Sequence, residues 1–202
     1  MRFLPVSILF CAVTASAGEI REFDLKTVAR LGAELARVSQ TANRGATTPV
    51  RKRARDTAIV ALKGKLFNAS YEYVVLDDPD GSGFLVYALA HSKNKIVLGG
   101  HLRVTVSADG KKAERVDALS HSLLLPPFGS KGEKPIVVSM SQSVSNKPLE
   151  TCVYTSLHDK VIVSVGMTND NAKVWMFIGD KIYEMTPELM KQLGVNDQEK
   201  KK

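Results

Sequence analysis

A chain of 202 residues that is 44% hydrophobic and 24% charged is long enough to bury one substantial core and has the composition of a globular domain. Its 28 lysines and arginines against 21 aspartates and glutamates give a formal charge of +7, which points towards anionic partners. Two cysteines exclude a disulfide-stapled scaffold.

The first residues, MRFLPVSILFCAVTASAG, start with a cation at Arg2 and run apolar from Phe3 to Val13. They then meet the small-residue pattern Ala15-Ser16-Ala17 before Gly18. This is the layout of an export signal, expected over residues 1–17 with cleavage ahead of Gly18. The apolar run, about a dozen residues, is short of the roughly 20 that a spanning helix needs, and no later run approaches that length. The mature chain is therefore expected not to span a membrane. Phe10 precedes Cys11 where lipid attachment wants a small residue, so a lipid anchor is not expected. Loss of Cys11 leaves Cys152 as the lone thiol, with no disulfide partner. A periplasmic or secreted basic protein meets envelope proteins or anionic envelope polymers, not nucleic acid.

From Phe23 to about Asn43, Leu25, Val28, Leu31, Leu35 and Val38 recur at helical steps, which predicts an amphipathic helix. Arg44-Gly45-Ala46-Thr47 breaks it. Thr48-Pro49 supplies a cap and a first-turn proline for a second helix to about Lys63, and the two read as a helical hairpin over residues 18–66. After Leu66 the pattern changes to period two. Strands are predicted at Tyr71–Leu76, Phe84–His91, Ile96–Ser107, Ile136–Val144, Leu149–Leu157, Lys160–Gly166, Lys173–Ile178 and Lys181–Glu184. Lys112–Leu125 reads as either strand or short helix. The short turns between the strands predict antiparallel neighbours. Thr186-Pro187-Glu188 should open a last helix that Gly194 closes, and residues 196–202 read as a polar, disordered tail. The expected fold is a single α+β domain over residues 18–195. In it the helical hairpin packs on one large, meander-like antiparallel sheet of seven or eight strands, followed by a short C-terminal helix.

The candidates for chemistry are few. Taking Lys93-Asn94 as a two-residue turn sets His91 opposite Ile96 and His101 opposite Val86, roughly 17 Å apart along the ladder, too far to share a metal ion. No HExxH, CxxC or G-x-S-x-G motif is present. Neither metal ligands, nor a cofactor site, nor a set of catalytic residues is expected. Asp77-Asp78-Pro79-Asp80-Gly81-Ser82-Gly83 lacks the closing glutamate of a calcium loop and reads as a hairpin turn. In strand Ile96–Ser107, Ile96, Leu98, Leu102, Val104 and Val106 alternate with His101, Arg103, Thr105 and Ser107, interrupted by Gly99-Gly100. The polar set predicts an open sheet face with His101, Arg103 and Thr105 as a binding surface. Phe84–His91 is apolar on both faces and should be central. Trp175 and Phe177 lie in a strand that is either covered on both sides or bears an exposed apolar patch.

The densest charge cluster, Arg51, Lys52, Arg53 and Arg55, covers more than one face of the second helix and opposes the helix dipole. The expectation is a non-catalytic exported binding protein, an inhibitor or adaptor for an envelope component, that works through an open sheet face and a basic helix. The alternative is an envelope hydrolase using Cys152, or a serine, with a histidine. On that expectation, changing Arg51, Lys52, Arg53 and Arg55 to glutamine abolishes capture of the partners held by the basic helix from envelope extract; a variant that retains every partner refutes a contact role for the cluster.

Overall fold

The computed structural model describes residues 20–93, 95–126, 137–168, 173–186 and 188–189. The expected signal at residues 1–17, the tail and most of the expected C-terminal helix lie outside them. The chain forms α1 (Leu25–Ser39), α2 (Pro49–Ala61), β1 (Ser70–Asp77), β2 (Phe84–His91), β3 (Leu102–Val106), β4 (Ala113–Ala118) and β5 (Val137–Gln142). It continues with α3 (Glu150–Asp159), β6 (Ile162–Met167), β7 (Val174–Ile178) and β8 (Lys181–Met185). The caps are those the sequence offers. The Asp24 carboxylate accepts the Thr27 amide at 2.9 Å, and the Thr48 hydroxyl accepts the Arg51 amide ahead of Pro49. The Thr186 hydroxyl likewise accepts the amide of Leu189 at 3.2 Å.

The fold class is α+β, but the strands form two sheets of four rather than one large sheet. The first, β1-β2-β3-β4, is antiparallel throughout; the second, β5-β6-β7-β8, is mixed because β5 and β6 run parallel. The difference has one cause. Residues 149–157 carry β-branched and aromatic side chains in alternation, yet they form the helix α3, whose residues from Glu150 to Ser156 are all buried. A helix buried all round shows no polar face, so its 3.6-residue period disappears from the sequence. Once α3 is a helix, β5 to β6 is a long crossover, which is what a parallel pair requires.

A second correction concerns β3. Ser92 bridges Lys95, the rung expected beside the turn, but further on Val86 faces Val104 instead of His101. Three extra residues are taken up between Lys95 and Leu102, where Gly100 adopts φ +82°, a conformation open to glycine. An odd insertion reverses the face of every side chain beyond it. Ile96 and Leu98 thus join one core and Leu102, Val104 and Val106 the other. The ambiguous stretch after Lys112 resolves into β4, followed by irregular chain.

The helices are not a hairpin on one face. Through Ala54, Ala58 and Leu62, α2 packs on Val75, Val86 and Val104 on one side of the first sheet. On the opposite side α1 packs with α3 on Val74, Leu85 and Leu89, and the same helices meet Val163, Val165, Trp175 and Phe177 of the second sheet. The layers therefore run α2, first sheet, α1 with α3, second sheet. β2 is central and buried from Phe84 to Ala90, as its doubly apolar sequence predicts.

The two middle helices touch at Gly32, where a Cβ would stand 2.4 Å from the Val153 Cβ and 2.6 Å from the Glu150 carbonyl oxygen. Gly32→Ala should therefore force α1 and α3 apart, despite alanine's better helix propensity. The expected loss is about 1–3 kcal/mol in urea unfolding; an unchanged or raised midpoint would show that the helices yield without strain.

Candidate functional site

The face of β3 that carries His101, Arg103 and Thr105 is covered, not open. His101 and Arg103 are only 2% and 0% exposed, and Thr105 is buried with them. Side chains of β3 on this face point at the α1–α3 layer, so the cations of an apparently amphipathic strand must find partners inside. The Arg103 guanidinium donates to Asp117 Oδ2 on β4 from Nε at 3.2 Å and Nη2 at 2.8 Å, and to Glu150 Oε1 on α3 at 2.5 Å. Its Nη2 also donates to the Arg21 carbonyl, and the Phe23 ring lies 4.8 Å from it. Glu150 Oε1 accepts a second bond, 2.9 Å, from the Tyr87 hydroxyl on β2, which pairs directly with Arg103. Arg115, at the rim, donates to the other Asp117 oxygen at 2.5 Å. The two arginines balance the two carboxylates. Burial alone would lower the Arg103 pKa, but Glu150, Tyr87 and Asp117 more than reverse that and raise it, while burial pushes the Tyr87 phenol well up.

Two further groups show how this interior treats ionisable side chains. His101 accepts the Ala90 amide on Nδ1 at 3.0 Å, so the proton of its neutral form sits on the buried Nε2. Burial lowers its pKa to about 4. Cys152 is wholly enclosed on α3, and burial raises its thiol to about 12. A thiol with so little thiolate at neutral pH is a poor nucleophile. His158 is exposed and stacks on Tyr154 at 5.1 Å, with Asp159 3.3 Å from its Nδ1; His91 and His121 are also exposed. Among the described residues no three histidine, cysteine or acidic side chains are grouped as metal ligands. In the acidic turn after β1, Asp78 accepts both Arg21 Nη1 and Nη2 at 2.7 Å, and Asp80 accepts Nη2 at 2.9 Å. The Arg21 guanidinium holds Asp78 below the usual carboxylate range. These carboxylates thus secure the segment before α1.

The basic cluster on α2 divides by function. Arg51 is turned back onto the fold, bonded to Asp77 and to the Gly45 and Val75 carbonyls at 3.2 and 3.3 Å. Arg53 donates to the Asp109 carbonyl at 2.9 Å, and Arg55 reaches only its neighbour Asp56 at 3.2 Å. Lys52 is exposed. Lys52 and Arg53, both exposed, are the members with most charge to offer a partner, since Arg55 is paired with Asp56, whereas Arg51 also holds the α1–α2 loop in place.

On the other sheet there is a face that no described residue covers. Trp175 and Phe177 point into the core, so Val174, Met176 and Ile178 point out. The register sets Val137, Ile162 and Ile178 in one row and Ser164, Met176 and Tyr183 in the next. Val137, Ile178 and Tyr183 are 49%, 44% and 46% exposed. A Cβ added at Gly166 on this face would meet nothing within 4 Å. The sequence signal for it was the doubly apolar stretch Val174–Ile178.

The buried ion network carries its own test. Arg103→Met should leave Asp117 and Glu150 uncompensated in the interior and cost about 3–5 kcal/mol in urea unfolding. Replacing Arg103, Asp117 and Glu150 together by Met, Leu and Met should restore much of that loss. A single variant as stable as wild type would mean that water reaches the two carboxylates. Comparison with protein-family models, with curated proteins and with solved structures finds no match to this chain.

Proposed function

We propose that this is an exported, non-catalytic binding protein that docks an envelope protein on the outer face of the second sheet. The observation that supports this reading is the apolar character of that face where no described residue covers it. A sheet with one face open to water ordinarily turns mainly polar residues outward. Here Val137, Ile162, Met176, Ile178 and Tyr183 are turned outward, with Ser139, Ser164 and Lys181 in the same rows. Contiguous apolar surface of this kind marks interaction sites in soluble proteins. A tyrosine among aliphatic side chains suits a protein partner better than a charged polymer. The enclosed, poorly ionised thiol of Cys152 weighs against the hydrolase reading that would use it. The basic residues Lys52 and Arg53 lie on α2, on the far side of the molecule, and would steer the protein towards an anionic surface without forming the contact.

The test is photocross-linking from a benzophenone side chain placed at Tyr183 or at Ile178, in cells that export the chain, with α2 position Val60 as the exposed apolar control. One defined adduct with an envelope protein from the two sheet positions, and none from Val60, is the expected result. Ile178→Asp, which leaves the core untouched, should abolish the adduct formed from position 183. Adducts only with a second copy of the chain, or equal yields from all three positions, would overturn the reading.

A further inference from the structure

The first sheet has a different feature at its β1 edge. The loop from α1 to α2 passes around this edge, because the two helices lie on opposite faces. There Arg44 offers its carbonyl oxygen to the Val75 amide at 3.0 Å, and Arg51 Nη1 donates to the Val75 carbonyl at 3.3 Å. Val75 therefore points its backbone groups away from β2. In an antiparallel pair this orientation recurs every second residue, so Tyr73 and Tyr71 also point their N–H and C=O outward. The other side of β2 agrees. Ala90, the partner of Tyr71, sends its amide towards β3, to His101 Nδ1. At Val75 the protein fills its own edge with the Arg44 carbonyl and the Arg51 guanidinium. At Tyr73 and Tyr71 no described residue does so.

In front of these two residues lies a groove of about 450 Å³. Arg55 and Ile59 of α2 form one wall, and Arg44, Glu72 and His91 the other. Arg44 is fixed there by a bidentate pair with Glu72, at 3.0 and 2.9 Å, which holds Glu72 below the usual carboxylate range. Past Glu72 and His91 the groove continues as a hollow of about 150 Å³ bounded by Lys95, His158 and Asp159. Among the lining residues the cations are Arg44, Arg55 and Lys95 and the carboxylates Glu72 and Asp159; Arg44 is paired with Glu72, and Arg55 with Asp56, which does not line the groove.

We propose that the β1 edge at Tyr71 and Tyr73, walled by Arg55, is a strand-addition site for an extended acidic peptide segment. Two outward residues provide four main-chain hydrogen-bonding groups, one pair every two residues, which matches the repeat of an incoming strand. The Arg44 carbonyl at Val75 marks one end of that register, and a strand laid along Tyr73 and Tyr71 continues it. Alternate side chains of the guest fall towards α2, where Arg55 receives a carboxylate beside the apolar Ile59, and towards Glu72 and His91. Saccharide polyanions could satisfy the charges but not the alternating backbone groups, which is why a peptide is favoured. The site lies on a different sheet from the proposed docking face, so success or failure here leaves that reading unaffected.

The experiment is fluorescence anisotropy with the whole exported chain and a labelled six-residue peptide that alternates glutamate with valine. Saturable binding is expected. Methylating the amides of one alternate set should weaken it at least tenfold, while methylating the other set should change it less than about twofold, since only one set faces β1. Arg55→Glu should weaken binding at least tenfold and Arg55→Lys should largely preserve it. The methylated series uses the unaltered protein, so it decides the matter even if an Arg55 variant folds poorly. Absence of saturable binding at millimolar peptide would overturn the proposal. So would equal sensitivity to both methylated sets, or tighter binding of an oligogalacturonate that the peptide does not displace.

Discussion

Burying the Arg103 guanidinium imposes a requirement that reaches into almost every layer of the molecule. An isolated cation there would be intolerable, and its neutralisation draws one carboxylate from β4, one from the first turn of α3, a phenol from β2 and a carbonyl from the segment before α1. Those four elements are far apart in sequence; Glu150 is 47 residues beyond Arg103 and Arg21 is 82 before it. One side chain thus sets the position of α3 relative to the first sheet and fixes where the chain enters α1. Hydrophobic contacts among these elements are stronger in sum but not directional. The ion network specifies which packing is adopted, although an apolar replacement of equal volume could be as stable.

The segment at Arg21 to Asp24 shows how the requirement spreads. Its carbonyl serves Arg103, while its own guanidinium grips Asp78 and Asp80 in the turn after β1 and lies 4.9 Å from the Phe23 ring. Glu22 accepts from the Ser145 hydroxyl at 2.7 Å and the Asn146 amide at 3.2 Å, in the connection that leads into α3. A short stretch ahead of the first helix thereby joins the first sheet to the start of the crossover. The acidic turn, whose carboxylates crowd together in the sequence, is neutralised by a cation of the chain itself.

Much of the fold was legible because many elements have one covered side. The apolar steps of α1, the Thr48-Pro49 start of α2 and the two-faced apolarity of β2 all describe their surroundings correctly. What failed did so where burial is complete. In α3 there is no polar face to reveal the period, and threonine, valine and tyrosine imitate a strand. In β3, Arg103 and His101 imitate a solvent-facing side. The sign against exposure was nevertheless present one strand away. If Phe84–His91 is covered on both faces, its neighbour must be covered too, and an arginine opposite Tyr87 needs a buried counter-charge. The register slip at Gly99-Gly100 was signalled as a break in alternation, but the size of an insertion is not written in the residues that make it. The backbone edge at Tyr71 and Tyr73 was invisible for another reason: it depends on which way a strand's amides point, and that is decided by its partner.

The division of labour among charges also bears on where recognition can occur. Arg21, Arg44, Arg51, Arg103 and Arg115 each meet a carboxylate within the fold, so much of the apparent surplus of arginine is structural. Net positive charge therefore says less about a polyanionic ligand than the composition suggests. Among the described residues, the surfaces left without internal partners are of two other kinds, a partly apolar sheet face and a length of unpaired strand edge. Both are features that a protein ordinarily removes, because each invites association. Charge can be retained for solubility alone, but an apolar face and an open edge gain nothing from water.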